Sequence, residues 1–137
     1  MITALDTNVL LDILLPNEKF ADASAEALER AAAAGSMVIC DLVYGELCAH
    51  FRAQRECDEF LKDTQIRMEP LNRPSLFLAS RVWRNYHLQG GHRDRILPDF
   101  LVGAHAQLQA SRLLSRDRGF YRKMFPSLTL IEPVRAN

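Results

Sequence analysis

Five short, mostly apolar runs, separated by segments of helical periodicity, constrain the fold of this chain more than any other feature of its sequence. The first run, Ile2–Leu5, stops abruptly at Asp6 and is typical of a buried strand. Strands that alternate with helices in this way favour a parallel sheet covered by helices on both faces. The predicted strands span residues 2–5, 37–40, 66–69, 112–115 and 128–131.

The segments between these runs have the apolar spacing of helices. Pro16 and Gly35 supply natural stops for the first two, and the segment 99–110 is apolar nearly all round, which predicts a deeply packed helix. The predicted helices span residues 9–14, 18–34, 42–51, 55–62, 76–86, 99–110 and 120–124. In folds of this class, ligands bind beyond the carboxyl ends of the strands.

Length and charge limit what such a chain does. Its 137 residues suit one domain, so residues 1–137 are predicted to form a single unit, and 48% hydrophobic with 25% charged residues excludes a disordered chain. The net charge is zero only by cancellation. Residues 1–69 carry 13 acidic and 6 basic residues (−7), whereas residues 70–137 carry 4 acidic and 11 basic residues (+7). Because 14 of the 17 basic residues are Arg, this split favours a polyanionic partner.

The sequence also indicates a cellular compartment. Cys40, Cys48 and Cys57 are an odd number at spacings that fit neither a zinc knuckle nor CxxC, and small apolar residues in a reducing cytosol explain them. The amino terminus does not resemble a signal peptide, and no apolar stretch approaches the ~20 residues of a membrane span. We therefore expect a soluble, cytoplasmic protein without a membrane partner.

Four acidic residues occupy positions that an exposed helix face does not explain. Asp6 ends the first strand, Asp99 begins the most apolar helix, and Asp117 lies two residues past the fourth strand. Glu46 shares a helical stripe with Leu47 and is expected to point inward, where a carboxylate must be paired or bind a metal. Ordinary explanations exist for each: a helix cap or a turn for the aspartates, and a tilted, solvent-exposed register for the glutamate.

Carboxylates from four segments that meet at one edge would repel each other and raise each other's pKa unless a cation neutralises them. Hard oxygen donors without Cys or His favour Mg²⁺ or Mn²⁺. Such a cation activates water and offsets charge on a leaving oxygen, while neighbouring arginines hold phosphates. We expect this edge to be bordered by Arg93, Arg95, Arg112, Arg116 and Arg118, and four of these, Arg93, Arg95, Arg116 and Arg118, are the predicted RNA-binding residues.

Four segments that contain these acids resemble, in order, the signature stretches of PIN-domain ribonucleases, and in particular the VapC-type toxins of toxin–antitoxin pairs. The segments are 5–12 (LDTNVLLD), 44–47 (YGEL), 97–106 (LPDFLVGAHA) and 113–120 (LLSRDRGF). The resemblance extends from Ile2 to about Pro133, nearly the whole chain. A single LDTN would be unspecific, whereas four acid-bearing segments in the same order are specific.

The resemblance implies a three-layer α/β/α sandwich around a parallel sheet of four to five strands, and an Mg²⁺- or Mn²⁺-dependent endoribonuclease that cleaves single-stranded RNA. It also implies a homodimer and a small antitoxin protein that blocks the site. The implied catalytic, metal-binding quartet is Asp6, Glu46, Asp99 and Asp117, with supporting polar roles for Asn8 and Ser115.

Proteins of other classes also gather acids at the carboxyl edge of a parallel sheet. A receiver-type phosphorylation domain needs a lysine after one of the last strands, and the only nearby one is Lys123. A haloacid-dehalogenase-type phosphatase needs an aspartate two residues after the first, where this chain has Asn8. Two alternatives stay open at this point: a PIN-like RNA-processing nuclease without an antitoxin, and a catalytically silent module that binds RNA or protein.

Histidines and aromatic residues are candidates for acid–base catalysis and for stacking on bases. His50 lies one turn from Glu46 and His105 lies within the apolar helix, and both are interpreted as packed or hydrogen-bonded residues. Trp83 and Tyr86 share one face of a basic helix, where core packing or a dimer interface explains them better than stacking on bases.

Overall fold

The strands form one parallel sheet in the computed structural model, which describes residues 1–15, 17–91 and 97–134. In these ranges the strands are β1 (Ile2–Leu5), β2 (Ser36–Ile39), β3 (Ile66–Met68), β4 (Arg112–Leu114) and β5 (Leu130–Ile131). Their order is β3-β2-β1-β4-β5, and every neighbouring pair is parallel. The predicted parallel sheet is confirmed, with five strands.

Helices cover the sheet. Within the described ranges they are α1 (Thr7–Leu14), α2 (Ala21–Ala34), α3 (Asp41–Cys48), α4 (Gln54–Asp63), α5 (Arg73–Leu88), α6 (Pro98–Gln109) and α7 (Arg118–Met124). Helix α2 packs against α1 and β2, whereas α6 packs against β1, β4 and, most extensively, α5. The predicted three-layer α/β/α sandwich is confirmed. None of these helices is both long and apolar enough to cross a membrane.

The core lies around the three central strands and α6. Residues on both faces of the strands are buried, as a sheet covered on both sides requires: Ala4, Leu5, Val38, Ile39, Leu113 and Leu114. Helix α6 is buried over most of its circumference, as predicted, and Gly103 leaves room there for the ring of Phe125. His105, also buried, donates from Nε2 to the carbonyl oxygen of Glu69 at 2.8 Å, which confirms its hydrogen-bonded role.

Several element ends differ from the prediction for local reasons. Helix α2 begins at Ala21 rather than at residue 18, because a turn precedes it in which the amides of Phe20 and Ala21 donate to the Asn17 carbonyl. Helix α3 ends at Cys48, and the turn that follows leaves His50 exposed, so the prediction that His50 is packed was wrong. Helix α5 begins earlier than predicted, because Asn72 caps it by accepting from the Ser75 amide at 2.9 Å.

Parallel pairing brings the carboxyl ends of the strands to one side of the sheet, which we call the site edge and define by Asp6, after β1, and Ser115, after β4. The amide of Asp6 donates to the Leu114 carbonyl at 3.0 Å, so the chain leaves β1 directly beside the end of β4. The first and the last of the four predicted acidic segments therefore meet here.

Candidate active site

Asp6 lies at the centre of the site edge. Its backbone is extended (φ −82°, ψ 153°), it is the N-cap of α1, and its Oδ1 accepts from the Thr7 amide at 2.8 Å. The capping explanation considered for this residue is therefore correct, and it accounts for only one carboxylate oxygen. The side chain is buried, with 7% of its surface exposed.

The second oxygen of Asp6 accepts from side chains of three segments. Ser115 Oγ donates at 2.8 Å, Tyr121 OH donates at 3.0 Å, and Asn8 Nδ2 lies at 3.5 Å. Asn8 Nδ2 also lies 3.3 Å from Ser115 Oγ. The two predicted supporting residues, Asn8 and Ser115, thus both lie beside Asp6.

Burial raises the pKa of Asp6, because a carboxylate withdrawn from water is disfavoured in its charged form. Hydrogen bonds from Ser115, Tyr121 and Thr7 oppose this effect, and the negative charge of Asp117 adds to it. An acid whose ionised form is held in a poorly hydrated place is typical of a functional site. A cation at Asp6 would relieve the cost.

Asp117 lies at the same edge, as predicted. Its amide donates to Ser115 Oγ at 3.0 Å, so one serine hydroxyl connects the backbone of Asp117 with the carboxylate of Asp6. The Asp117 side chain itself is exposed. The loop after β4 therefore brings a buried and an exposed acid together.

Glu46 is exposed, so the expectation that it points inward was wrong. Val43 and Leu47 define the buried stripe of α3, and Glu46 lies on its flank, where the side chain reaches water. Its Oε1 nevertheless accepts from Thr7 Oγ1 at 3.0 Å, and the amide of Thr7 binds Asp6. Glu46 thus reaches the site edge through Thr7.

Asp99 lies in the first turn of α6 and is half-buried. A carboxylate there interacts favourably with the helix dipole. Burial and then the charges of Asp6 and Asp99 raise the pKa of Tyr121, and the charge of Asp117 adds to this effect. The buried phenol therefore stays protonated and donates to Asp6.

Tyr121, Thr7 and Asp12 were not predicted as part of this site. Tyr121 follows Asp117 by four residues, one helical turn along α7, and an inward-facing tyrosine at that spacing is the signal that could have identified it. Asp12, only 3% exposed, binds Arg116 through two hydrogen bonds, and nothing in its sequence neighbourhood indicates this partner.

The predicted arginines have different surroundings. Arg93 and Arg95 lie outside the described residues. Arg112 starts β4, at the opposite end of that strand, and donates to Thr3 Oγ1 at 2.9 Å, so the expectation that it borders the acids was wrong. Arg118, 56% exposed, follows Asp117 directly and donates to Glu132 at 3.0 Å.

The chemistry of the donors fits a hard divalent cation, because all four predicted ligands are carboxylates and burial raises the pKa of Asp6 despite its hydrogen bonds. Within the described ranges, however, no three Asp, Glu, His or Cys side chains converge closely enough to form a preassembled metal centre. Glu46 and Asp117 are exposed, whereas Asp6 is buried and Asp99 is half-buried.

Comparison with known protein families assigns most of the chain to one family. The sequence profile described as "PIN domain" matches residues 3–126. The chain belongs to the PIN-domain family. No curated protein sequence matches it at a significant level.

Solved structures with a similar fold come from toxin–antitoxin complexes. VapBC-1 from nontypeable Haemophilus influenzae has a TM-score of 0.74 at 18% identity, over 98% of this chain and 100% of that chain. VapBC2 from Rickettsia felis, bound to a DNA fragment from its promoter, has a TM-score of 0.72 at 21% identity, over 96% and 98%. A toxin–antitoxin complex from Klebsiella pneumoniae gives 0.68 at 17%, over 98% and 99%. At these identities the similarity establishes the fold of this PIN domain.

Proposed function

We propose that this PIN domain is a metal-dependent endoribonuclease that cleaves single-stranded RNA and is the toxin of a type II toxin–antitoxin pair. The observation that carries the proposal is the buried Asp6 carboxylate. It is surrounded at the site edge by Asn8, Ser115 and Tyr121 and influenced by the charge of Asp117. A PIN-family site with this composition is suited to phosphodiester hydrolysis.

In this proposal Asp6, Glu46, Asp99 and Asp117 would hold Mg²⁺ or Mn²⁺, which when bound would supply an activated water and offset negative charge on the leaving oxygen. The chain's own residues orient the acids. Ser115 and Tyr121 both donate hydrogen bonds to Asp6 Oδ2, which fixes the plane of the carboxylate. Thr7 connects Glu46 with Asp6, because its hydroxyl donates to Glu46 and its amide donates to Asp6. Asn8 and Ser115 are supporting residues.

RNA binding is assigned to the basic half of the chain. Of the predicted contacts, Arg118 has a side chain that is 56% exposed beside Asp117, and an exposed ion pair with Glu132 is weak enough to yield to a phosphate. Arg93 and Arg95 immediately precede the Asp99 segment in sequence. Binding to phosphates releases counterions, so affinity for RNA should fall steeply with salt.

The toxin assignment rests on the four signature segments and on the fold shared with the toxin–antitoxin complexes. It includes a small antitoxin that covers the site edge, a homodimer, and action in the cytoplasm, where the RNA is. A housekeeping PIN nuclease would share the site and lack the antitoxin. A small adjacent reading frame whose product relieves the growth arrest caused by this protein would distinguish a toxin from a housekeeping nuclease.

The decisive experiment measures cleavage of a fluorogenic single-stranded RNA in Mn²⁺ for the wild type, Asp6→Asn and Asp99→Asn. Both variants should lose at least ~100-fold in kcat, because each removes a carboxylate needed by the cation. EDTA should abolish activity of the wild type. Full activity in both variants, or activity that persists in EDTA, would refute the mechanism.

Asp63→Asn is the matched control. Asp63 ends α4, three residues before β3 starts, and so lies at the opposite end of the strands from the site edge. The same carboxylate-to-amide change there should leave kcat unaltered. A thermal melt of each variant checks that the fold is intact.

A further inference from the structure

An ion pair between a buried carboxylate and a half-buried arginine lies beside the site edge and outside the acidic quartet. Arg116 Nε donates to Asp12 Oδ2 at 2.7 Å, and Arg116 Nη2 donates to Asp12 Oδ1 at 3.0 Å. The Asp12 side chain is 3% exposed and that of Arg116 is 29% exposed. This two-point geometry is the strongest arrangement available to an arginine and a carboxylate.

Helix α2 completes the surroundings of this pair. Ser24 Oγ donates to Asp12 Oδ2 at 2.7 Å, so that oxygen accepts from two segments. The guanidinium carbon of Arg116 lies 4.0 Å from the centre of the Phe20 ring, a cation–π contact. The pair therefore joins α1, the start of α2 and the loop after β4.

The loop bound by this pair, residues 115–117, contains two residues of the proposed site, Ser115 and Asp117. The amide of Arg116 donates to Asn8 Oδ1 at 3.2 Å. The residue before it, Ser115, donates to Asp6, and the amide of the residue after it, Asp117, donates to Ser115. Fixing Arg116 by both its side chain and its backbone therefore fixes its two neighbours.

We propose that Asp12 and Arg116 are a positioning pair, which holds loop 115–117 so that Ser115 and Asp117 face Asp6. This inference rests on the proposed function and assigns Arg116 a different role from the predicted RNA contact. The Nε and Nη2 atoms of Arg116 bind Asp12 and its face covers Phe20, so these donors are not available to a phosphate while the contact with the buried carboxylate is kept.

The test compares Asp12→Asn and Arg116→Gln by steady-state cleavage of single-stranded RNA in Mn²⁺. Asp12 is buried and does not reach RNA, so an effect there reports positioning. Both variants should lower kcat by about 100-fold and leave KM within about twofold, because the loop is displaced while the RNA surface is retained. The double variant should lose no more than either single variant, since the two residues act as one unit.

Hydrogen exchange of the Arg116 and Asp117 amides, followed by NMR in EDTA, tests the pair without a measurement of activity, because these amides donate to Asn8 Oδ1 and Ser115 Oγ. These amides should exchange about tenfold faster in both variants, while amides of β1 and β2 keep their protection. Arg116→Lys is the second variant, because it keeps the charge and loses the two-point contact. It should show the same faster exchange, and it replaces Asp12→Asn if that protein does not fold.

Arg55→Gln and Glu59→Gln are the matched controls. These residues form an ion pair on α4 at 3.8 Å with 83% and 63% exposed side chains, so neither change should alter kcat or exchange in the loop. Unchanged kcat in Asp12→Asn together with a raised KM and a reduced salt slope in Arg116→Gln would overturn the inference in favour of an RNA contact.

The outcomes also separate this inference from the proposed function. If the wild type cleaves no RNA in Mn²⁺, the proposed function fails, whereas the exchange experiment still tests the pair. If the wild type is active and exchange in loop 115–117 is the same in all variants, the positioning pair fails and the nuclease assignment stands.

Discussion

Removing either partner of the Asp12–Arg116 pair should destabilise the protein by unequal amounts. Arg116→Met leaves a carboxylate that is 3% exposed with Ser24 as its donor in place of a cation. Removing the cation from a carboxylate as buried as Asp12 costs about 3–5 kcal/mol, because the remaining charge is poorly hydrated and keeps only the hydrogen bond from Ser24. This loss is a large part of the ~5–15 kcal/mol that stabilises a typical domain.

Asp12→Asn should cost less. The Arg116 side chain is 29% exposed, so the guanidinium can turn towards water and keep part of its contact with Phe20. The loss is then that of the charge-assisted hydrogen bonds, about 1.5–3 kcal/mol net. The two variants should therefore differ by about 2 kcal/mol, which at this chain length corresponds to roughly 4–8 °C in Tm.

Urea unfolding at pH 7 in EDTA, followed by circular dichroism, measures this difference. At an m-value of about 2 kcal/mol per M, the midpoint of Arg116→Met should lie about 1 M below that of Asp12→Asn. Arg118→Met is the control, because its pair with Glu132 is exposed and contributes about 0–1 kcal/mol. If Arg116→Met is no less stable than Asp12→Asn, the Asp12 carboxylate is not effectively desolvated and the reasoning is wrong.

Three further outcomes follow from individual buried groups. Tyr121→Phe should lower the free energy of unfolding by about 1–3 kcal/mol, because Asp6 loses a donor, and urea titration measures it. Burial lowers the pKa of His105 below 6.5, so the free energy of unfolding should fall by up to about 1.4 kcal/mol per pH unit below pH 6.5. Thermal melts at different pH values should show a smaller decrease in His105→Gln. Burial and then a hydrogen bond with Cys48 raise the pKa of Cys57 to about 11, so iodoacetamide should alkylate Cys48 before Cys57. Mass spectrometry of the alkylated protein measures the order.

Each of these outcomes has a clear contrary result. Unchanged stability in Tyr121→Phe would mean that the phenol does not stabilise the Asp6 carboxylate. The sign for His105 follows because the unfolded chain binds a proton that the folded ring resists, so an identical pH profile in His105→Gln would exclude that explanation. Equal alkylation of the two thiols in the native protein would show that Cys57 is accessible.

Local pattern was sufficient to predict the layers of the fold. Apolar runs such as Ile2–Leu5 are buried on both sides wherever helices cover a parallel sheet, so their composition alone identifies them as strands. Chain direction then brings the residues after parallel strands to one edge, which is why Asp6 and Asp117 were correctly predicted to meet. Element ends were predicted less well, because turns at Asn17 and after Cys48 depend on local backbone hydrogen bonds.

The sequence by itself determined the sheet, the helices and the four acid-bearing segments, since these follow from periodicity and from the order of residues along the chain. Only the tertiary structure decided which side chains are partners. Arg116 binds Asp12 across 104 positions, Tyr121 binds Asp6 across 115, and Glu46 faces water beside its helix's buried stripe. The direction and the burial of a side chain are determined when separate elements pack together. That packing also determines the partner of a carboxylate, because a carboxylate that is buried without a partner costs free energy.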